Sequence, residues 1–108
     1  MLPNFVELPS FSRASRDLLG DTELRELQAF MMENPQAGEV IPASSGCRKI
    51  RWQRTGMGKR GGLRVIYFLQ LEDGTIVLVS IYAKSVQENI DPRTLKEVRL
   101  AYEAQPPK

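Results

Sequence analysis

Seven cations, Arg48, Lys49, Arg51, Arg54, Lys59, Arg60 and Arg64, fall between Val40 and Leu71, a window that holds no Asp or Glu. Arginine grips phosphate with two parallel donors and stays charged, while a lysine crowded by other cations has its charged form disfavoured, which suits it to proton transfer. The window carries +7 and the rest of the chain −5, although the whole protein is only +2. Solubility does not require that segregation; a site for a polyanion does, and a phosphodiester chain is the simplest candidate. Tyr82 and Lys84 add a ring and a cation two residues apart, the combination by which single-stranded RNA grooves stack bases and neutralise phosphates.

Individual positions sharpen this reading. Residues two apart on a strand share a face, so Lys49 and Arg51 point opposite to Ile50 and Trp52. With Ile50 and Trp52 in the core, the cations look outward; the plain alternative is a merely solvated strand face. Arg64 tilts the balance, because a guanidinium inside the apolar run Leu63 to Leu69 is costly unless it faces a partner or a wet groove. Trp52 reads as a core anchor and Cys47 as an inert core residue, while Tyr67 is open between core and groove.

Gly56-Met57-Gly58-Lys59-Arg60-Gly61 matches a glycine-rich phosphate pattern. In a dinucleotide fold that pattern must lead from a strand into a helix, whereas here it leads into a strand. It is expected to form a flexible hairpin tip whose Lys59 and Arg60 supply charge. The chain has no histidine and a lone Cys47. An internal disulfide, zinc sites and most metal-assisted hydrolysis are thereby excluded, and neither a metal nor a small-molecule cofactor is expected. No apolar run nears the roughly 20 residues that span a bilayer, and Met1-Leu2-Pro3-Asn4 lacks the make-up of a secretory leader. A cytoplasmic protein without membrane contact is expected.

The elements that must position these groups follow from periodicity. Asn4 to Leu8 reads as an opening strand; Ser10 as N-cap leads a helix with Phe11, Ala14 and Leu18 on one side, closed by Gly20. Asp21 caps a second helix in which Leu24, Leu27 and Met31 repeat, ended by Asn34-Pro35. Gln36 to Gly46 is turn-rich. The period then becomes that of strands, giving an antiparallel meander of three, the last two joined by an Asp73-Gly74 turn. Ser85 and Glu88 have capping-box spacing for a short helix, and Asp91-Pro92 opens a final helix with Leu95, Val98 and Tyr102 inward. The sum is one α+β domain over residues 1–108 with a frayed tail at 105–108. Its order is β-α-α-β-β-β-α, a mostly antiparallel sheet with helices packed on one face and the other face available.

The residues Cys47 to Trp52, Gly58 to Phe68 and Ile81-Tyr82-Ala83-Lys84 together resemble a RelE/HigB-type toxin of a bacterial toxin-antitoxin pair, nearest to the HigB-like branch. The resemblance covers nearly the whole chain and includes the order of elements. It implies a small RelE-like domain that cuts mRNA in the ribosomal A site without a metal and is silenced by a cognate antitoxin, a small helix-turn-helix protein. Matched position by position, Lys49 and Arg51 stand at the family's basic pair, Arg64 at its active-site arginine and Lys84 at its basic residue after the last strand. Many relatives place a tyrosine or histidine slightly further on, where this chain has Glu88, Asn89, Ile90 and Asp91.

On this reading Arg64 stabilises the phosphate, Lys49 or Lys84 moves the proton, and Arg51 places the substrate with Arg48, Arg54, Lys59, Arg60 and Tyr82. The competing reading is a non-catalytic module that binds the ribosome or RNA, or sequesters an antitoxin. A DNA reader fits less well, since no helix carries a basic face.

Overall fold

The computed structural model describes residues 4–70, 72–85 and 90–105, with the side chains of Lys59 and Arg60 left aside. Glu88 of the expected Ser85-Glu88 capping box and the end of the tail fall outside these residues. A five-stranded sheet runs in the order β1-β5-β4-β3-β2. Strand β1 (Phe5–Glu7) is parallel to β5 (Thr75–Ala83), and β2 (Glu39–Val40), β3 (Arg48–Gln53), β4 (Gly62–Gln70) and β5 pair antiparallel in turn. The expected meander is therefore present. Strand β2 is an addition, because two residues are too few to show alternation within a turn-rich stretch.

Helices α1 (Pro9–Leu18) and α2 (Asp21–Glu33) cover one sheet face. Phe11, Leu19, Leu27 and Met31 pack there on Ile50, Leu63, Val65, Tyr67, Ile76, Leu78 and Ile81. Each of these large side chains contributes about 1.5–3 kcal/mol by leaving water. Trp52 packs against the same cluster, its ring 5.8 Å from that of Phe30. Both helix starts differ by a residue or two from the sequence reading. Leu8 is the N-cap of α1, with Pro9 in the first turn, and Gly20 is the N-cap of α2, which leaves the carboxylates of Asp21 and Glu23 to offset the helix dipole.

The last helix, α3 (Pro92–Glu103), lies on the opposite sheet face, which corrects the expectation that every helix shares one side. Leu95 joins Cys47, Ile66, Phe68, Val77, Val79 and Tyr82 there, and Asp91 caps the helix by accepting from the Arg93 N–H. Strand β4 serves both clusters, odd residues to one and even to the other, which is why its apolar run is nearly continuous.

One irregularity sets the site. Tyr67 pairs with Leu78 and Ile66 with Ser80, so β5 carries one extra residue, Val79. A bulge of this kind reverses which residues face which side beyond it. Ile76 and Leu78 face α1 and α2, but after the bulge Ile81 does so and Tyr82 faces the other way. The Val79 carbonyl accepts from the Ser10 hydroxyl at 2.5 Å, so Ser10 ties α1 to the bulge instead of capping its own helix. Among the described residues, no helix is long and apolar enough to cross a membrane.

Candidate functional site

Helix α3 covers only part of its face. Beside it, where β4 begins and β5 ends, lies a pocket of about 510 Å³. Register explains its lining. Arg51 is opposite Arg64, and Arg64 is opposite Tyr82, so the three form a row across the sheet. One step along, Lys49 is opposite both Ile66 on β4 and Glu39 on β2. Directly opposed residues hold their Cβ atoms about 4.5–5.5 Å apart on the same face. On the other side of the row the Lys84 N–H donates to the Gly62 carbonyl at 3.2 Å.

Lys49, Arg51, Arg64 and Lys84 all line the pocket, together with Glu39, Ala37 and Ile50. Four cations against one carboxylate leave it strongly positive. Arg64 is half-buried and donates to its neighbour's carbonyl, Leu63 O, at 3.2 Å; among the described residues it has no ion pair. It lines the pocket, where a guanidinium set in an apolar strand can be solvated or paired.

The other basic positions are engaged elsewhere. Arg48 has the parity of Ile50, not of Lys49, and its Nη1 donates to the carbonyls of Gln36 (3.1 Å) and Gly38 (2.7 Å). Arg54 is half-buried in the hairpin: its backbone N–H and its Nε both donate to Gly61 O. A Cβ on Gly61 would stand 2.9 Å from Arg54 O, so the closed loop requires glycine. That loop ends in a short 3-10 turn, Gly58–Gly61, that runs into β4, and it holds Lys59 and Arg60 on its backbone. Tyr82 is only 6% exposed and belongs to the core cluster that Val98 and Tyr102 of α3 pack against, so its ring is not offered as a stacking platform. Burial pushes its phenol above the ordinary pKa, and the Arg64 charge beside it pulls partly the other way.

Two lining residues, Ala37 and Glu39, were not singled out in the sequence. The acid-free window begins at Val40, one residue beyond Glu39. Only the pairing of a two-residue strand turns that carboxylate toward Lys49.

No protein-family model matches the chain. Solved structures do. An arginine-to-alanine double mutant of the E. coli toxin RelE, in the free state, aligns over 93% of this chain and 99% of its own with a TM-score of 0.62 at 19% identity. The fold is that of the RelE toxins. A RelE mutant bound to a peptide of its antitoxin RelB aligns over 98% of this chain and 97% of its own (TM-score 0.52, 17% identity). The intact E. coli RelBE toxin-antitoxin complex matches over 73% of this chain and 93% of its own (TM-score 0.51, 20% identity). In this RelE-like fold the cationic pocket occupies the sheet face that α3 leaves partly open.

Proposed function

We propose that this protein is the toxin of a type II toxin-antitoxin pair, a cytoplasmic, ribosome-dependent endoribonuclease of the HigB-like branch that cuts mRNA and so halts translation. The observation that carries the reading is the meeting of Lys49, Arg51, Arg64 and Lys84 in one pocket on a RelE-like fold. The sequence resemblance and the antitoxin complexes of RelE support the same reading, with a cognate antitoxin as the partner that keeps the enzyme silent.

The chemistry uses the RNA's own 2′-hydroxyl. Its oxygen attacks the adjacent phosphorus, the 2′-O–P bond forms as the P–O5′ bond breaks, and the products are a cyclic phosphate and a free 5′-hydroxyl. Arg64 stabilises charge on the non-bridging oxygens, Arg51 holds the flanking phosphate, and Lys49 or Lys84 in ammonium form protonates the leaving O5′. Aligning the 2′-oxygen with the scissile bond is the ribosome's and the pocket's shared task, since a free single strand rarely adopts that geometry.

Expression of wild type and Arg64→Ala, followed by mapping of message ends, tests the proposal. Discrete cuts inside codons with wild type, reduced about 10²- to 10³-fold in Arg64→Ala, are expected. Stalled but intact message would favour a module that only occupies the ribosome.

A further inference from the structure

The pocket contains a group that RNA binding alone does not call for. Glu39 lines the cavity together with four cations, paired opposite Lys49 on the same sheet face, and its charge opposes the phosphates those cations attract. A transfer reaction does call for it. Lysine and arginine are ordinarily protonated at neutral pH and act there as acids or charge stabilisers, whereas a carboxylate is ordinarily ionised and able to accept a proton.

Its placement is built in depth. The Tyr67 side chain, fully buried, donates its hydroxyl proton to Pro35 O (3.0 Å) and accepts from the Gly38 N–H (2.9 Å). Arg48 adds its two bonds to the carbonyls of Gln36 and Gly38. The segment is also pressed against the sheet: a Cβ on Gly38 would stand 2.9 Å from the Tyr67 hydroxyl and 3.0 Å from Lys49 O. A core tyrosine, an arginine and an obligate close approach thus fix the backbone immediately before Glu39. Together with the pairing of Glu39 to Lys49, they fix the wall from which the carboxylate reaches.

We infer that Glu39 is the general base of the RNA-cleaving reaction, taking the proton of the attacking 2′-hydroxyl while a pocket lysine delivers one to the leaving O5′. The inference rests on the endoribonuclease reading and divides its proton transfers between two groups. Glu39 gains the proton that the 2′-oxygen loses as it bonds to phosphorus; the lysine loses the one that O5′ gains as its bond to phosphorus breaks. Solvent then restores both.

The test is single-turnover cleavage of message on programmed ribosomes by wild type, Glu39→Gln and Glu39→Asp, with melting temperatures measured alongside. Glu39 is exposed and its strand is held through the backbone, so both variants are expected to melt within a few degrees of wild type. Glu39→Gln should lower the maximal rate about 10²- to 10³-fold while KM stays level or improves, and Glu39→Asp should keep part of the rate. A Glu39→Gln rate within threefold of wild type, or a loss confined to KM, overturns the assignment. If wild type itself leaves message intact, the endoribonuclease reading falls and this inference with it. If wild type cuts and Glu39→Gln cuts equally well, only the inference falls.

Discussion

Two guanidinium groups on the same side of the sheet live in opposite circumstances. Arg99, on α3, has its side chain 16% exposed and donates to Ser45 O at 2.8 Å and Leu69 O at 3.1 Å. It also lies 4.8 Å over the Phe68 ring and 3.6 Å from the Glu103 carboxylate. Arg64 lines the pocket and, among the described residues, makes one side-chain bond, to its neighbour's carbonyl. The lesson is that a basic residue's type says nothing of its role; the number of internal acceptors it meets does. Arg99 is a structural clamp, and so is Arg48. Arg64, on the proposed function, is the one that meets an outside anion.

That contrast can be broken. Arg64→Ala should cost the most activity, at least about 10²-fold in message cleavage, while stability shifts by less than about 1 kcal/mol because few internal bonds are lost. Arg99→Ala should do the reverse: a loss of about 1–3 kcal/mol in chemical denaturation, from two charge-assisted bonds and a cation-π contact, with cleavage per folded molecule unchanged. Equal effects of the two variants on both readouts would erase the distinction.

Tyr67→Phe is the next test in size. It leaves the Gly38 N–H and Pro35 carbonyl without their partner, which should lower stability by about 1–2 kcal/mol. It also alters the alkaline limb. Burial raises the Tyr67 pKa, with the Gly38 hydrogen bond and Arg48 opposing. A phenol whose folded pKa exceeds its unfolded value of about 10 leaves stability intact below that pH and subtracts from it as pH climbs further. Urea melts of wild type should therefore weaken above about pH 10 more steeply than those of Tyr67→Phe. The smallest expected effect concerns salt. The composition of the basic window suggests five to seven phosphate contacts, but the pocket gathers four cations, so RNA affinity should fall with a log-log slope of about −3. Arg51→Ala should make the slope shallower by about 0.7, whereas Arg99→Ala should leave it alone.

Much of the fold was legible because it rests on repeating patterns. Phe11, Leu27 and Met31 sit where a 3.6-residue period places them, and the meander follows from strand periods and the Asp73-Gly74 turn, where Asp73 accepts from the Thr75 N–H. Of the pocket residues, Arg64 was legible as an exception to those patterns, Lys49 and Arg51 by their strand parity, and Lys84 by its place two residues from Tyr82. What escaped depends on single events. Strand β2 is too short to repeat, and so its glutamate was invisible as a wall of the site. The side taken by α3 is decided by a tertiary contact of Leu95 with Cys47 and Phe68, not by its own periodicity. Arg48 was grouped with its neighbours by charge although its parity assigns it to the opposite side, where backbone carbonyls receive it.

The extra residue in β5 has a consequence for how this protein can evolve. Because Val79 is the extra residue, loss of its codon would leave a regular ladder in which Ile81 and Tyr82 keep their faces, whereas a slip that paired Val79 in sequence would turn Tyr82 toward the hydrocarbon beneath α1 and Ile81 toward the cationic side. Substitutions can drift through this strand one at a time, but its register turns on the bulge, and the hydroxyl of Ser10 is the latch.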